Sequence, residues 1–198
     1  MLPGMRIRAE TSEDLAAIRA VNLDAFPTAA EADLVERIRA SDGFVPELSL
    51  VAELGPGGEG RSDAEPQQPA EGRQGPDAQG RSGPVVGHIL LSRVSIAGLD
   101  EPILALAPMA VVPEYQRQGI GSALVRAALD AAESLEEPLV VVLGHPWFYP
   151  RFGFKRASRH GIFPSEPWPD AAFMAKPLTR WSRELRGRVI YPPTFDGV

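Results

Sequence analysis

The chain of 198 residues contains no cysteine, only three histidines and no long apolar run. Without cysteine it cannot form a disulfide, a thiolate nucleophile or a thiolate metal site. His88, His145 and His160 are far apart and lack metal-ligand spacing, so we expect no metal cofactor. Because no run of about 18 apolar residues occurs, we also expect no membrane span.

An excess of basic residues is lacking as well, since the formal net charge is -6. Nonspecific nucleic-acid binding uses a basic face that neutralises phosphates, so we expect no nucleic-acid partner. The N-terminal residues lack the apolar core of a signal peptide. The hydrophobic fraction of 44% suffices for one globular domain over residues 1–198. These features predict a soluble cytoplasmic protein.

Apolar periodicity predicts strands and helices in a mixed order. The first helix begins at Thr11 or Ser12 and runs to about Ala25, with Leu15, Ile18 and Val21 on one face. A second helix over residues 31–41 spaces its apolar residues at helical intervals, and a third begins at Ile120. Strands are predicted at residues 6–9, 48–54, 83–96, 102–112, 138–144, 172–178 and 187–195. The pattern predicts an α/β (α+β) sandwich built around one sheet.

Residues 55–84 differ in composition from the rest of the chain. Glycine, proline, glutamine and charged residues dominate this stretch, and it holds no large apolar residue. Such a composition buries too little surface to offset the entropy of ordering. We expect a disordered loop within a hairpin, because the strands on either side look like partners. A binding tail is the alternative.

The stretch "PEYQRQGIGSALV" carries Gly119 and Gly121 at the start of the third helix. Glycine costs a helix about 1 kcal/mol relative to alanine, so a purely structural helix should not begin this way. At a helix N-terminus the first backbone N–H groups lack partners and the helix dipole is positive. Residues without a Cβ let an anion approach these groups closely. The pair therefore predicts a phosphate cradle, and a softened strand-to-helix turn is the structural alternative.

Three anion-binding patterns compete for this stretch. The nucleotide P-loop needs a GK[ST] ending, which the chain lacks. The dinucleotide fingerprint needs a third glycine, but Leu124 stands at that position. It also needs an acidic residue at the end of the following strand, but that strand leads into His145. The remaining pattern, Q/R-x-x-G-x-G/A, is satisfied by Gln116 through Gly121.

With this pattern the sequence resembles the GCN5-related N-acetyltransferases, the GNAT superfamily, and "LAPMAVVPEYQRQGIGSALV" with "VVVLGHPWFYPRFGF" is most similar to its YhbS-like subgroup. The resemblance implies a mixed, mostly antiparallel sheet flanked by helices, with a splayed central strand pair that admits acetyl-CoA. It also implies an acyltransferase that moves the acetyl group directly to an amine of a small molecule or protein. The implied cofactor-binding residues are Met109, Ala110, Val111, Gln116, Arg117, Gln118, Gly119, Ile120, Gly121 and Ser122.

The resemblance also implies candidate catalytic residues. "YPRFGF" matches the family motif Y-x-x-x-G-F, which makes Tyr149 the candidate general acid, or else a core aromatic. His145 could act as the base or cap the following short helix. Glu31 lies on the side where acceptors approach in this family, although a glutamate there also simply favours a helix N-terminus. His88 is read as a packing residue.

The acceptor side of the predicted site is rich in aromatic residues. They could receive an apolar amine or an ammonium group, or they could fill the core. The alternative function is a catalytically inactive acyl-CoA-binding sensor, which would not need Tyr149. The resemblance also allows a homodimer. The aromatic residues concerned are Phe26, Trp147, Phe163, Trp168, Tyr191 and Phe195.

Overall fold

A computed structural model describes residues 4–55 and 83–197 of the chain. Within these ranges the helices are α1 (Leu15–Ala25), α2 (Ala30–Arg39) and α3 (Ile120–Ser134). The strands there are β1 (Arg6–Ala9), β2 (Phe44–Glu53), β3 (Val85–Ile96), β4 (Ile103–Val111), β5 (Leu139–Leu143), β6 (Lys155–Arg156), β7 (Ile162–Phe163), β8 (Phe173–Pro177) and β9 (Gly187–Ile190). The two-residue strands β6 and β7 are too short for periodicity to predict.

The strands form a sheet in the order β1-β2-β3-β4-β5-β8-β6. Neighbouring strands in this order are antiparallel except β4 and β5, which run parallel. Strand β9 pairs antiparallel with the end of β3 and parallel with β7. This topology confirms the predicted mixed, mostly antiparallel sheet flanked by helices.

Alternate residues of the central strands face different helices. Leu50 and Ala52 of β2 belong to the core cluster beneath α3, whereas Val51 between them packs with α1 and α2. Strand β3 repeats the alternation, since Ile89 faces α3 and Leu90 faces the other pair. The sheet is therefore covered on both sides, which explains why its central strands are almost wholly apolar.

Strands β4 and β5 are paired over a short length only. Their ladder consists of Leu104 with Val140 and Ala105 with Val141. Beyond these pairs β4 continues to Val111 without a partner strand on that side, among the residues described. The two strands separate as the resemblance implies, and a space opens between their carboxyl ends.

Two residues at element ends are more exposed than the rest of their elements. Ile18 and Val21 are buried on the predicted face of α1, but Leu15, the first residue of the helix, is 40% exposed, and Asn22 is buried instead. In β5 the last residue, Leu143, is 44% exposed because it lies where β4 has moved away. Both differences arise at element ends, where tertiary packing decides burial.

A buried polar network joins α1 to the sheet. The His88 Nε2 atom lies 3.0 Å from the Ser49 Oγ atom, which in turn donates to a Glu10 carboxylate oxygen. The Asn22 side-chain amide lies 3.4 Å from the other ring nitrogen of His88. Arg39 donates two hydrogen bonds to Glu10, at 2.7 and 3.0 Å. Burial lowers the pKa of His88, so this side chain is a neutral, hydrogen-bonded core residue.

The disordered loop was predicted at residues 55–84. Of these residues, 56–82 lie outside the part of the chain that the structure describes. Its flanking strands are antiparallel partners, as expected, with Glu53 opposite Val85. The Leu54 N–H donates to the Pro84 carbonyl at 3.0 Å, and the Gly83 N–H donates to the Glu53 carboxylate at 2.8 Å. The hairpin stem is thus closed by its own contacts.

We expect that replacing residues 56–82 by an Asn-Gly turn keeps the fold. Because the stem is closed and each doubling of loop length costs about 0.6 kcal/mol, the shorter chain should be about 1–2 kcal/mol more stable. Urea denaturation measures this difference. In the control, a Gly-Ser segment of the original length replaces residues 56–82. A loss of stability in both variants would show that the replaced residues contribute contacts of their own.

The lowered pKa of Glu10 predicts that the folded protein loses stability in acid. Burial acts to raise the pKa of this carboxyl, but His88, Arg39 and Ser49 together lower it from 4.5 to about 2. The resulting stabilisation of roughly 3 kcal/mol is present above pH 4.5 and is lost as the pH falls toward 2. Denaturation between pH 7 and 2 should show this loss in the wild type but not in Glu10→Gln. The exposed Glu47→Gln should follow the wild type.

Candidate active site

A cavity of about 820 Å³ lies where β4 and β5 separate. One wall is the unpaired half of β4 with the turn that follows it, at residues 106–122. A second wall comes from the end of α1 and the first turns of α2. The third is the segment after β5, at residues 143–151. A space of this size suits a cofactor-sized ligand, and most of its lining is apolar or glycine.

The cavity brings most of the predicted site residues together. The three predicted catalytic side chains Tyr149, His145 and Glu31 all line it. Of the predicted cofactor-binding residues, those that line it are Met109, Val111, Gln116, Arg117, Gly119, Gly121 and Ser122.

Three predicted cofactor-binding residues do not line the cavity. Ala110 and Ile120 are buried in the core, because they point away from the cavity on their strand and helix. Gln118 is exposed, and its side-chain amide donates to the Glu114 carbonyl at 2.9 Å. These three could contribute to the site through main-chain groups alone.

The turn before α3 presents a row of unpaired backbone donors. Among the residues that the structure describes, none accepts a hydrogen bond from the backbone N–H groups of residues 117–122. Arg117 and Gly119 have φ angles of 60° and 88°, and such left-handed residues turn neighbouring N–H groups toward a common point. Together with the positive end of the α3 dipole, these groups have the arrangement that anion binding needs, and the cradle stays a prediction.

Gln116 uses its polar groups to hold this turn. Its backbone N–H donates to the Pro113 carbonyl at 3.2 Å. Its side-chain amide donates to the Val111 carbonyl at 3.0 Å. The first residue of the Q/R-x-x-G-x-G/A pattern thus fixes the turn to the end of β4 and leaves anion contacts to the residues after it.

Gly119 and Gly121 differ in what a side chain at each position would meet. A Cβ at Gly119 would meet no atom within 4 Å, but the φ angle of 88° makes any side chain there strained. Gly121 has helical backbone, and a Cβ there would make ordinary contacts with Met109 at 3.6 Å and Phe148 at 3.8 Å. The protein itself therefore does not require glycine at 121, which agrees with the alanine that the Q/R-x-x-G-x-G/A pattern also allows at this position.

Tyr149 packs against the end of β5 with its ring buried. A Cβ at Gly144 would lie 2.3 Å from the Tyr149 ring, so this glycine allows the tyrosine its position. Burial raises the pKa of Tyr149 to about 12, which keeps the hydroxyl protonated at neutral pH. Gly144 is a site residue that sequence reasoning missed, although the change from a buried strand to "GHP" was a signal for it.

His145 lies at the mouth of the cavity and is exposed. Its imidazole stacks on the ring of Trp147, with centroids 5.2 Å apart and planes 17° apart. Its carbonyl accepts the N–H of Phe148 at 2.9 Å, so its main chain starts the turn that leads to Tyr149. Its side chain does not cap the following short helix (Tyr149–Phe152), because Phe148 is the N-cap there and no side-chain cap hydrogen bond is made, so the cap role is wrong. The role as base stays a prediction.

Glu31 lies in the first turn of α2. One oxygen of its carboxylate, Oε2, is fully buried and has no hydrogen-bond partner among the described residues. Because burying an unpaired carboxylate oxygen is unfavourable, a hydrogen-bond donor that enters the cavity would find a ready partner in this atom. Position in the sequence alone gave no sign of this feature.

The six aromatic residues divide between the two roles considered for them, apart from Phe163. Phe26 and Trp147 line the cavity, but the other four aromatic residues do not. Trp168, Tyr191 and Phe195 pack on one another and on the core at the far end of the sheet, where the segments before and after β8 meet. Phe163 is 47% exposed on β7.

Comparison with known proteins agrees with this geometry. A family model described as an acetyltransferase (GNAT) domain matches residues 78–156. The uncharacterized N-acetyltransferase YjhQ of Escherichia coli K12 is 32% identical over 183 residues, which cover 89% of this chain and 86% of YjhQ. This chain belongs to the GNAT acetyltransferase family. The uncharacterized N-acetyltransferase YhbS of the same strain is 33% identical over 88% of this chain and 87% of its own length.

Two solved structures of GNAT acetyltransferases share the whole fold. YhbS of E. coli, crystallised with CoA, superposes with a TM-score of 0.77 at 28% identity, covering 97% of this chain and 92% of that one. A GNAT acetyltransferase from Brucella melitensis, crystallised with acetyl-CoA, gives 0.68 at 27% identity, covering 97% and 98%. The resemblance stated from the sequence is confirmed, and the protein is an acyltransferase.

Two absences hold for the described part of this GNAT chain. None of its helices within residues 4–55 and 83–197 is long and apolar enough to cross a membrane. In the same ranges, no group of three or more His, Asp or Glu side chains is arranged to hold a metal ion.

The cradle predicts that Gly121→Ala is tolerated. Alanine favours the helix by up to about 1 kcal/mol and meets only ordinary contacts, so the melting temperature should hold or rise. Because the Q/R-x-x-G-x-G/A pattern also allows alanine at this position, calorimetry should show that the affinity for coenzyme A stays within about threefold of the wild type.

The matched variants separate strain from ligand exclusion. Gly119→Ala and Gly98→Ala both place a side chain at positive φ, 88° and 78°, in open space, so each should lose about 1–2 kcal/mol of stability. Only Gly119→Ala should also weaken coenzyme A binding. Normal affinity for coenzyme A in Gly119→Ala as well as in Gly121→Ala would contradict the assignment of the cradle.

Proposed function

We propose that this chain is an acetyl-CoA-dependent N-acetyltransferase that transfers the acetyl group directly to a primary amine. The observation that carries the proposal is the row of free N–H groups at residues 117–122, at one end of a cavity that also holds Tyr149. The CoA and acetyl-CoA complexes of the two structural relatives support it. The N–H groups would hold the diphosphate of the cofactor, and Arg117 would add charge.

The unpaired half of β4 would receive the pantetheine arm. This edge has free main-chain groups because β5 turns away after Val141. Met109 and Val111 line the cavity there, and main-chain donors from this stretch would polarise the acetyl carbonyl. The Val111 carbonyl already accepts the Gln116 side chain, so the amides and the more N-terminal carbonyls of β4 remain for the arm.

The transfer needs one bond formed, one broken and two proton movements. The neutral amine nitrogen attacks the acetyl carbonyl carbon, and the bond from that carbon to the cofactor sulfur breaks. A base takes the proton that the nitrogen loses, and the departing thiolate gains a proton or a hydrogen bond. The chain has no cysteine, which agrees with direct transfer without a cysteinyl intermediate.

We assign Tyr149 as the acid. With its pKa raised by burial to about 12, the hydroxyl is protonated throughout the neutral range. An ordinary thiol has a pKa of about 8.5, so the thiolate is a weaker base than the tyrosinate. Tyr149 would therefore act chiefly by donating a hydrogen bond to the sulfur as negative charge develops there.

Glu31 and His145 are the candidates for the base. Both line the cavity. The unpartnered, buried Oε2 atom favours Glu31, because a protonated amine entering the cavity would meet that oxygen. His145 is at the mouth and could pass the proton to solvent.

Coenzyme A release in the presence of amines tests the function and the role of Tyr149. Tyr149→Phe should lower kcat about ten- to a hundredfold, the range of one strong hydrogen bond in the transition state, and leave the Kd for coenzyme A unchanged. Tyr191→Phe is the matched control, because burial also raises the pKa of Tyr191 but that residue does not line the cavity. Tight cofactor binding without turnover of any amine would indicate a sensor.

The pH dependence of kcat gives a further check on this assignment. Since the raised pKa of Tyr149 is about 12, its hydroxyl stays protonated and should cause no loss of rate below about pH 11. A decline with a midpoint near pH 10 that disappears in Tyr149→Phe would show an ordinary, unburied phenol instead.

A further inference from the structure

The side of the cavity away from the cradle has a distinct chemical character. We call it the acceptor wall and define it as Phe26, Glu31, Leu34, Leu143 and Trp147, all of which line the cavity. Under the proposed function the cofactor occupies β4 and the turn before α3, so this wall is left for the amine. Its one charged member is Glu31.

Glu31 is also the only acidic residue among the described residues that line the cavity. Its Oε2 atom is buried without a partner in the described part of the chain. The arginines of the neighbouring helices do not supply one. Arg19 pairs with Asp33 and Glu36.

The two arginines of α2 itself are also engaged elsewhere. Arg37 donates to the carbonyls of Thr194 and Asp196 at 2.8 and 3.2 Å, and Arg39 pairs with Glu10. The helix thus directs its cations away from the cavity. The described part of the chain therefore leaves this carboxylate oxygen without a cation of its own.

The rest of the acceptor wall is apolar. Trp147 is 70% exposed, although its flat face is fixed by the stack on His145 and by an edge contact with Phe148. A tryptophan held rigidly at a cavity mouth offers area for an aromatic or alkyl group at low entropic cost. Leu143 is also more exposed than an ordinary strand residue.

We infer, on the basis of the proposed function, that the acceptor is a small primary monoamine with an apolar, preferably aromatic, body and no carboxylate. Its ammonium group pairs with the free oxygen of Glu31 before it gives up a proton. Its body lies against Phe26, Leu34 and Trp147.

Charge matching separates this class from other amines. The cations that line the cavity are Arg117, which belongs to the cradle, and Arg151, which donates to the Phe148 carbonyl and lies 4.5 Å over the Phe148 ring. An amino acid would therefore bring its carboxylate against apolar side chains and Glu31. A polyamine would leave its further ammonium groups unpaired, and a peptide would bring main-chain groups that the acceptor wall cannot hydrogen-bond.

A matched set of acceptors tests the inference with the full-length protein and acetyl-CoA. Phenethylamine, phenylalanine, spermidine and a peptide with a free N-terminus are compared by coenzyme A release and by product mass. We expect kcat/KM for phenethylamine to exceed that for each of the others at least about tenfold, since one mispaired charge costs that much or more. A higher value for phenylalanine, spermidine or the peptide overturns the inference.

Glu31→Gln tests the ionic contact itself. It should raise KM for phenethylamine about ten- to a hundredfold, the effect of losing a hydrogen bond to a charged group, while the Kd for coenzyme A stays the same. Glu36→Gln, on the exposed side of the same helix and paired with Arg19, is the matched control and should behave as wild type. An unchanged KM in Glu31→Gln overturns the inference.

Calorimetry distinguishes a failure of this inference from a failure of the proposed function. Titration of the coenzyme A complex with phenethylamine should show binding in the wild type and about tenfold weaker binding in Glu31→Gln. Failure of coenzyme A itself to bind would overturn the proposed function, whereas coenzyme A binding without amine binding would overturn the acceptor class alone.

Discussion

The short pairing between β4 and β5 is the constraint on which the rest of the site depends. Two residue pairs hold the strands together at one end, and beyond Ala105 the strands separate. A parallel pair inside a covered sheet normally continues, because unpaired main-chain groups in the interior are costly. Here the separation leaves the edge of β4 with free hydrogen-bonding groups and creates the cavity. The core beneath α3 and the antiparallel neighbours β3 and β8 hold the two strands in this arrangement.

The side chains and backbone groups around this opening are each fixed by a separate local structural feature. The turn before α3 is shaped by left-handed residues at 117 and 119 and is tied to β4 by the Gln116 side chain. Tyr149 is placed by the absence of a side chain at Gly144. Glu31 is held by α2, whose arginines contact other partners. Cofactor and acceptor would therefore meet between preformed walls, which reduces the ordering that binding requires.

Features that depend on local sequence were predicted well, and those that depend on distant contacts were not. The turn before α3 and α3 itself were predicted because proline, glycine spacing and helical periodicity all lie within twenty residues. Which aromatic residues face the cavity and which fill the core was not predictable, because Trp168 and Tyr191 are brought to the far end of the sheet by the paths of the chain before and after β8, which no local pattern records. The unpartnered oxygen of Glu31 was also beyond prediction, since it depends on where the arginines of α2 find their partners.

The ordinary surroundings of Gly121 have an evolutionary consequence. Nothing in the folded chain opposes an alanine there, and helix propensity favours one. A lineage could therefore exchange glycine for alanine here and keep both the scaffold and the cofactor. Gly119 has no such freedom, since its left-handed backbone strains any side chain, so evolutionary drift should be confined to the second glycine of the pair.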